Sequence, residues 1–276
     1  MSSRVIRTLA HVSDLHLGRD RRTDAGAREL AATLQDAAVD AVLVTGDLTH
    51  RGRAAELRAF EDAFAPLLER GRVVIVPGNH DRAGEDVGAT LMVGSRVGVA
   101  DLPGVHVVRV DSTGPHNRSL VAAHGLLERA DVLEVDAALG EAPPGALAVV
   151  MLHHHVLPLP PDDLREALSG WLGWPNAREL PRGPELLALA RGRCDLVLHG
   201  HRHVPSAAAP FRGDARALAV VNAGCSPDLG AVRLFFHEDG RVLGSRWLAA
   251  APAVRRVSRG VARGDPGIPE AVAARG

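Results

Sequence analysis

Five groups of Asp, Asn and His residues punctuate this 276-residue chain, and each stands just behind a short apolar run. Asp14 and His16 follow Val5 to Val12, Asp47 follows Ala41 to Thr45, and Asn79, His80 and Asp81 follow Val73 to Val76. His153, with His154 and His155, ends the run Leu147 to Leu152, and His201 and His203 come after Leu196 to Leu198. Short apolar runs bounded by Gly and Pro read as buried strands. A chain that sets metal-ligand side chains behind five such strands is restricted to folds in which strand ends converge.

Helical segments alternate with these strands. Ala25 to Ala38 is expected as a helix with Asp24 as its N-cap, followed by Ala54 to Arg70. Leu126 to Leu139 is a third, stopped by Gly140 and the Pro143–Pro144 pair, and Glu185 to Ala190 a fourth. Val105 to Val110, Ser119 to Ala123, Ala217 to Val221, Ala231 to His237 and Val242 to Leu248 complete the strands. Early β-α alternation with a strand-rich end predicts an α/β domain of mixed sheets with flanking helices. One domain is expected over residues 1–250. Residues 251–276, rich in Arg, Gly, Ala and Pro, are expected as a mobile tail.

Composition narrows the functional classes. Hydrophobic residues are 46% and charged residues 24% of the chain, and the net charge is -1, which argues against a general nucleic-acid or membrane-surface binder. Every Lys+Arg position is Arg, a matter of surface charge carriers only. Two cysteines, Cys194 and Cys225, make no disulfide framework and suit a reducing compartment. The N-terminus has no apolar leader and no run reaches the length of a membrane span, so a cytoplasmic protein is expected.

The residue types point to a chemistry. Asp14 and His16, two apart on extended backbone, project to one face and can grip one ion. Asp47 follows Gly46, whose freedom permits a tight turn, and a carboxylate there can bridge two cations. Asn79 offers a neutral amide oxygen. A histidine held just off the metals, His80, can contact a substrate phosphate or protonate a leaving group, with Asp81 orienting it and raising its basicity. His201 and His203 repeat the spacing of Asp14 and His16. Two divalent cations outweigh Asp14, Asp47 and a bridging hydroxide by about one positive charge, which attracts a phosphate oxyanion. Mixed oxygen and imidazole ligands suit Mn, Fe, Zn or Co, in divalent or mixed-valence form. His11, His106, His116, His124 and His237 read as packed or surface residues. His50 and His199 stand beside motifs, and His154 or His155 is an alternative to His153.

In this order the motifs Asp14-Leu15-His16, Gly46-Asp47, Gly78-Asn79-His80-Asp81, His153 and Gly200-His201-Arg202-His203 resemble the calcineurin-like metallophosphoesterase superfamily. The resemblance implies a four-layer sandwich, two packed mixed β-sheets flanked by helices, with metals at the strand ends. It also implies a ligand split, with Asp14, His16, Asp47 and His203 on one metal and Asp47, Asn79, His153 and His201 on the other. His80 then acts on substrate with support from Asp81. Ser13-Asp14-Leu15-His16-Leu17 and Val110-Asp111-Ser112-Thr113 are similar to bacterial cyclic-nucleotide and glycerophosphodiester phosphodiesterase-like members. The expected reaction is hydrolysis of a small phosphodiester by a hydroxide bridging the metals. Phosphomonoesters, nucleotide-sugar or lipid pyrophosphates, and a non-catalytic metal-binding scaffold are the alternatives. The His-His-Pro usual at the fourth motif is here His153-His154-His155-Val156-Leu157-Pro158, and Trp171 and Trp174 follow as a candidate lid. The expected partner is a small phosphate ester. The oligomeric state stays open, a homodimer included.

Overall fold

The computed structural model describes residues 5–119, 122–159 and 179–250. Trp171, Trp174 and the segment 251–276 lie outside the described residues. In chain order the elements are β1 (Arg7–Val12), α1 (Arg21–Asp36), β2 (Ala41–Val44), α2 (Ala54–Leu68), β3 (Val73–Ile75), a 3-10 turn (His80–Arg82) and α3 (Gly88–Leu91). Next come β4 (Val97–Leu102), β5 (Val105–Val110), a 3-10 turn (Pro115–Arg118), α4 (Arg129–Gly140) and β6 (Leu147–Met151). They are followed by α5 (Gly183–Ala190), β7 (Leu196–His199), β8 (Ser206–Ala208), β9 (Ala219–Asn222), α6 (Ser226–Leu229), β10 (Ala231–Glu238) and β11 (Arg241–Ala249).

The strands form two mixed sheets, one of five in the order β11-β10-β1-β2-β3 and one of six in the order β4-β5-β6-β7-β9-β8. β1, β2 and β3 are parallel, as are β5, β6, β7 and β9, while β10, β4 and β8 run antiparallel to their neighbours. Alternation of side chains sorts each strand between two cores. Leu9, Leu43 and Val74 of the first sheet meet Val107, Val149, Leu196 and Val221 of the second in a dry seam. Ala10, Val12, Val42 and Val44 face outward onto Leu30 and Leu34 of α1 and Phe60, Phe64 and Leu67 of α2. Val108, Val150 and Val197 face outward onto Val132 and Val135 of α4 and Leu186 and Leu187 of α5. Burial on both faces explains why β2 and β6 are unbroken apolar runs. Four layers follow: helices, sheet, sheet, helices.

Three local expectations are corrected. Helix α1 begins one turn earlier, capped by Asp20, whose Oδ1 accepts from Arg22 N and Thr23 N at 2.9 Å each. Asp24 instead accepts from Gly18 N at 2.8 Å and so ties the helix to the loop after β1. Of the strand expected at Ser119 to Ala123, the described residues are loop: Asn117 Nδ2 donates to Ala122 O and His124 O, which folds the backbone over itself. β4, absent from the expectation, pairs antiparallel with β5 along its whole length at the sheet edge.

Candidate metal centre

The parallel strands of both sheets end at one pole, and all five motifs sit in the loops that leave them. Open α/β sheets place their sites at such carboxyl ends. The loops are stitched across the sheets. His153 Nδ1 donates to Thr45 O (2.7 Å), and His201 N donates to Asp14 Oδ2 (3.1 Å).

The backbone that aims these groups is not extended, contrary to the spacing argument for Asp14 and His16. Asp14 (φ 54°), His16 (φ 45°), Asp47 (φ 52°) and His201 (φ 68°) are all left-handed. Each such residue costs about 1–3 kcal/mol and persists only where its surroundings enforce it. Here Asp14 N donates to Gly46 O (3.1 Å), His16 N to Asp47 O (2.9 Å) and Leu17 N to Leu48 O (3.0 Å), so the loops after β1 and β2 hold each other. Gly78 permits a close approach of the loop after β3 to Asp47: a methyl group there would stand 2.2 Å from Asp47 Oδ1 and 2.3 Å from Asp47 N.

Two clusters result, with Asp47 between them. His16 Nε2 and His203 Nε2 lie 3.9 Å and 3.7 Å from Asp14 Oδ1. His153 Nε2 and His201 Nδ1 each lie 3.0 Å from Asn79 Oδ1. Asp47 Oδ2 stands 3.4 Å from His153 Nε2 and 3.9 Å from His16 Nε2. Nearly all of this is buried: Asp14 and His153 are 0% exposed, and His16 and Asp47 2%.

The donor set fits metal ions. Asp14 Oδ1 is buried with no hydrogen-bond partner, a costly arrangement unless a cation faces it. His153 spends its Nδ1–H on Thr45 O, so Nε2 turns a lone pair toward the oxygens of Asp47 and Asn79. Lone pairs converging in a buried space require a cation among them, and without a metal that cation is a proton on His153 Nε2. Burial alone would lower the His153 pKa, yet the Asp47 carboxylate beside it, its hydrogen bond to Asp47 and the more distant Asp14 lift it to about 9. Burial would raise Asp47, but His153, His80 and His16 hold it well below the usual carboxylate range. Asp14 is raised by burial. Among the described residues, Asp14, His16 and His203 form one group, and Asp14, Asp47 and His153 another, with ligand atoms within 4.8 Å.

The three consecutive histidines separate. His154 accepts at Nδ1 from Ser112 Oγ (2.9 Å) and donates from Nε2 to Ala123 O (3.0 Å), so both ring nitrogens are engaged. His155 stacks on His201 with centroids 5.9 Å apart. Only His153 faces the carboxylate of Asp47.

His80 and Asp81 also separate. His80 N donates to Asp47 Oδ1 (2.8 Å), and its Nδ1 donates to His50 O (2.7 Å), which leaves Nε2 as the available nitrogen. Asp81 does not supply the support expected of it. Its Oδ1 accepts from Thr49 N (2.9 Å) and Thr49 Oγ (2.7 Å), and its Oδ2 from Gly78 N (2.9 Å) and Leu48 N (3.3 Å). The carboxylate thus clamps the loops after β2 and β3 together, and burial and the charge of Asp47 push its pKa up to about 6. The His50 carbonyl, Thr45 carbonyl and Ser112 hydroxyl orient the site's histidines; none belongs to the five ligand motifs, and Ser112 lies in the Val110-Asp111-Ser112-Thr113 stretch. Both cysteines are free and buried, and burial pushes the Cys194 thiol up to about 12.

Similarity to known proteins follows the same residues. The model of the calcineurin-like phosphoesterase family matches residues 7–205. A probable cyclic nucleotide phosphodiesterase of Vesicomyosocius okutanii subsp. Calyptogena okutanii is 22% identical over 161 residues, covering 55% of this chain and 63% of that protein. The chain therefore spans less than two thirds of that relative's length. In architecture the chain is similar to a dimetal phosphatase from Danio rerio (TM-score 0.55, 12% identity, covering 89% of this chain and 99% of that one). It is similar too to a purple acid phosphatase from yellow lupin seeds (TM-score 0.53, 13% identity, 92% and 57%). These likenesses extend to the fold. Because the family match encloses every one of the five motifs that meet at this pole, the chain belongs to the calcineurin-like phosphoesterase family.

Proposed function

We propose that this chain is a two-metal phosphoesterase acting on a small phosphodiester, with Asp14, His16, Asp47 and His203 holding one ion and Asp47, Asn79, His153 and His201 the other. The observation that carries it is the position of Asp47, one carboxylate oxygen of which faces imidazoles of both groups, at 3.4 Å and 3.9 Å. Bound ions supply a hydroxide near neutral pH and positive charge for the phosphate oxygens. The chain supplies the rest. Asp47 is kept in place by the His80 N–H on its other oxygen. His80, with Nδ1 anchored on the His50 carbonyl, presents Nε2 to the ester to hydrogen-bond an oxygen or protonate the leaving group. Asp81 keeps the two loops in register and touches no substrate. His154, tied to Ser112 and Ala123, braces the strand end that carries His153.

A phosphoester substrate is in keeping with the family, and the diester is favoured by the relative named as a probable cyclic nucleotide phosphodiesterase. Among the described residues no helix is long and apolar enough to cross a membrane, and the two thiols are unpaired; we place the protein in the cytoplasm on that basis. The test is a panel of a chromogenic phosphodiester, the matching phosphomonoester, cyclic AMP and a nucleotide-sugar, each with Mn, Zn, Co and Fe. The diester is expected to turn over fastest. Faster monoester turnover overturns the diester assignment, and no turnover with any metal overturns the hydrolase.

A further inference from the structure

A third cluster of imidazoles stands at the mouth of this centre. His16, His50 and His80 each offer one ring nitrogen, and these lie within 4.8 Å of one another. His50 is outside the ligand set above. Its ring stacks on His80 (centroids 5.4 Å, 24° between planes) and meets His16 edge-on (5.8 Å, 79°), while His16 and His80 are 4.7 Å apart. Half-buried His50 has its Nδ1 shut away from solvent with no hydrogen-bond partner. Its backbone is held firmly: His50 N donates to Leu17 O (2.9 Å), Thr49 N to Asp81 Oδ1 (2.9 Å), and Arg51 N to Glu56 Oε2 (2.8 Å).

We infer that His50, His80 and His16 form an additional, inhibitory zinc site that adjoins the Asp14 group. The set contains nitrogen and no carboxylate, which selects zinc over magnesium, calcium or manganese. Three histidines with an open fourth position is an arrangement zinc adopts, and bringing the nitrogens onto one ion takes roughly 1 Å of movement, which the half-buried rings of His50 and His80 can make toward buried His16. His16 is the corner shared with the Asp14 group: its Nε2 faces that group, so this zinc takes Nδ1, which is buried with no hydrogen-bond partner, and the ring's remaining proton leaves to solvent on binding. His80 keeps its Nδ1–H on the His50 carbonyl, so zinc takes Nε2, the atom read above as serving the ester. The inhibitory effect therefore rests on that role of His80, whereas the site itself does not.

The experiment uses the metal-loaded protein, with zinc bound per chain counted by elemental analysis and calorimetry and, separately, diester turnover followed against added zinc. His50→Ala removes the ring, and His50→Phe keeps a stacked ring without nitrogen; both keep the carbonyl that holds His80. The wild type is expected to bind one zinc more than either variant. Half-inhibition by zinc is expected to move up about tenfold or more in both, since even residues behind metal ligands change affinity by that much. Equal zinc counts in wild type and variants overturn the site. A lost zinc with unchanged inhibition overturns its inhibitory role. The count is read without substrate, so a failure of the phosphoesterase reading leaves it decisive.

Discussion

Gly78→Ala is a one-methyl change whose effect can be worked out from the geometry. The added carbon would stand 2.2 Å from Asp47 Oδ1 and 2.3 Å from Asp47 N, where side-chain carbons essentially never come within 3.0 Å. The carboxylate oxygen can swing aside, but the backbone nitrogen cannot, so one of the two loops must shift by about 0.7 Å. One loop carries Asp47, which faces both ligand groups, and the other carries Asn79. Metal–ligand distances hold to about 0.2 Å, so the shift exceeds the tolerance more than threefold. The variant is expected to lose at least one ion per chain by elemental analysis and to turn over the diester about 100-fold more slowly. Crowding should cost the chelated protein about 1–3 kcal/mol in urea unfolding. Gly71→Ala is the control: φ there is 63°, so alanine is strained, but nothing lies within 4 Å. It should lose about 1 kcal/mol of stability and keep its metal and turnover. A Gly78→Ala protein with full metal content and wild-type turnover would show that the contact with Asp47 does not position the ligands, as would equal metal loss in the control.

Loaded with manganese, His80→Ala should keep the wild-type metal content, since neither the Asp14 nor the Asn79 cluster includes it, and lower turnover by about 100- to 10,000-fold; unchanged turnover removes His80 from catalysis. The buried neutral histidines should each make an acid-sensitive contribution to the stability of the chelated protein. Burial, then the charge of His153, lowers the pKa of His199 to about 4, and burial with His199 and Arg233 holds His11 well below its ordinary value. Above about pH 6.5 both states are neutral and nothing is lost; below it the unfolded chain takes up protons that the fold refuses, so this contribution falls as pH drops toward 4. For His199 alone the loss approaches about 3 kcal/mol between pH 8 and pH 4.5, read as the difference in urea midpoint between wild type and His199→Asn, since His153 and Asp81, with raised pKa values, act in the opposite sense over the same range. The same pH dependence in wild type and His199→Asn contradicts it.

The motifs were legible because each is a run of chemically costly residues behind a strand buried on both faces, and burial on both faces writes itself as Ala41-Val42-Leu43-Val44 or Leu147-Ala148-Val149-Val150-Met151. Edge strand β4, Val97-Gly98-Val99-Ala100-Asp101-Leu102, has one open face and carries Gly and Asp, so it has no such signature. Asp20 and Asp24 are both plausible caps by type, and the choice fell to Asp20 because Asp24 is taken by Gly18 N, a contact that exists only once the loop has turned. The left-handed turns at Asp14 and His16 defeated an argument from extended spacing because partners from the β2 loop enforce them. The same distance in sequence hid the choice among His153, His154 and His155, since Ser112 and Ala123, which engage His154, are 42 and 31 residues away. Asp81 looked like the partner of its neighbour His80; four donors from the backbone and from Thr49 claimed it, and a main-chain carbonyl, which has no sequence signature at all, took its place.

The most direct test is to strip the protein with a chelator, add back manganese, which the imidazole-only cluster at the mouth disfavours, and follow bound metal and diester turnover together. Turnover should vanish on stripping and return in full only as the second ion per chain binds. Full turnover with a single ion, or turnover that survives stripping, would contradict the two-metal centre.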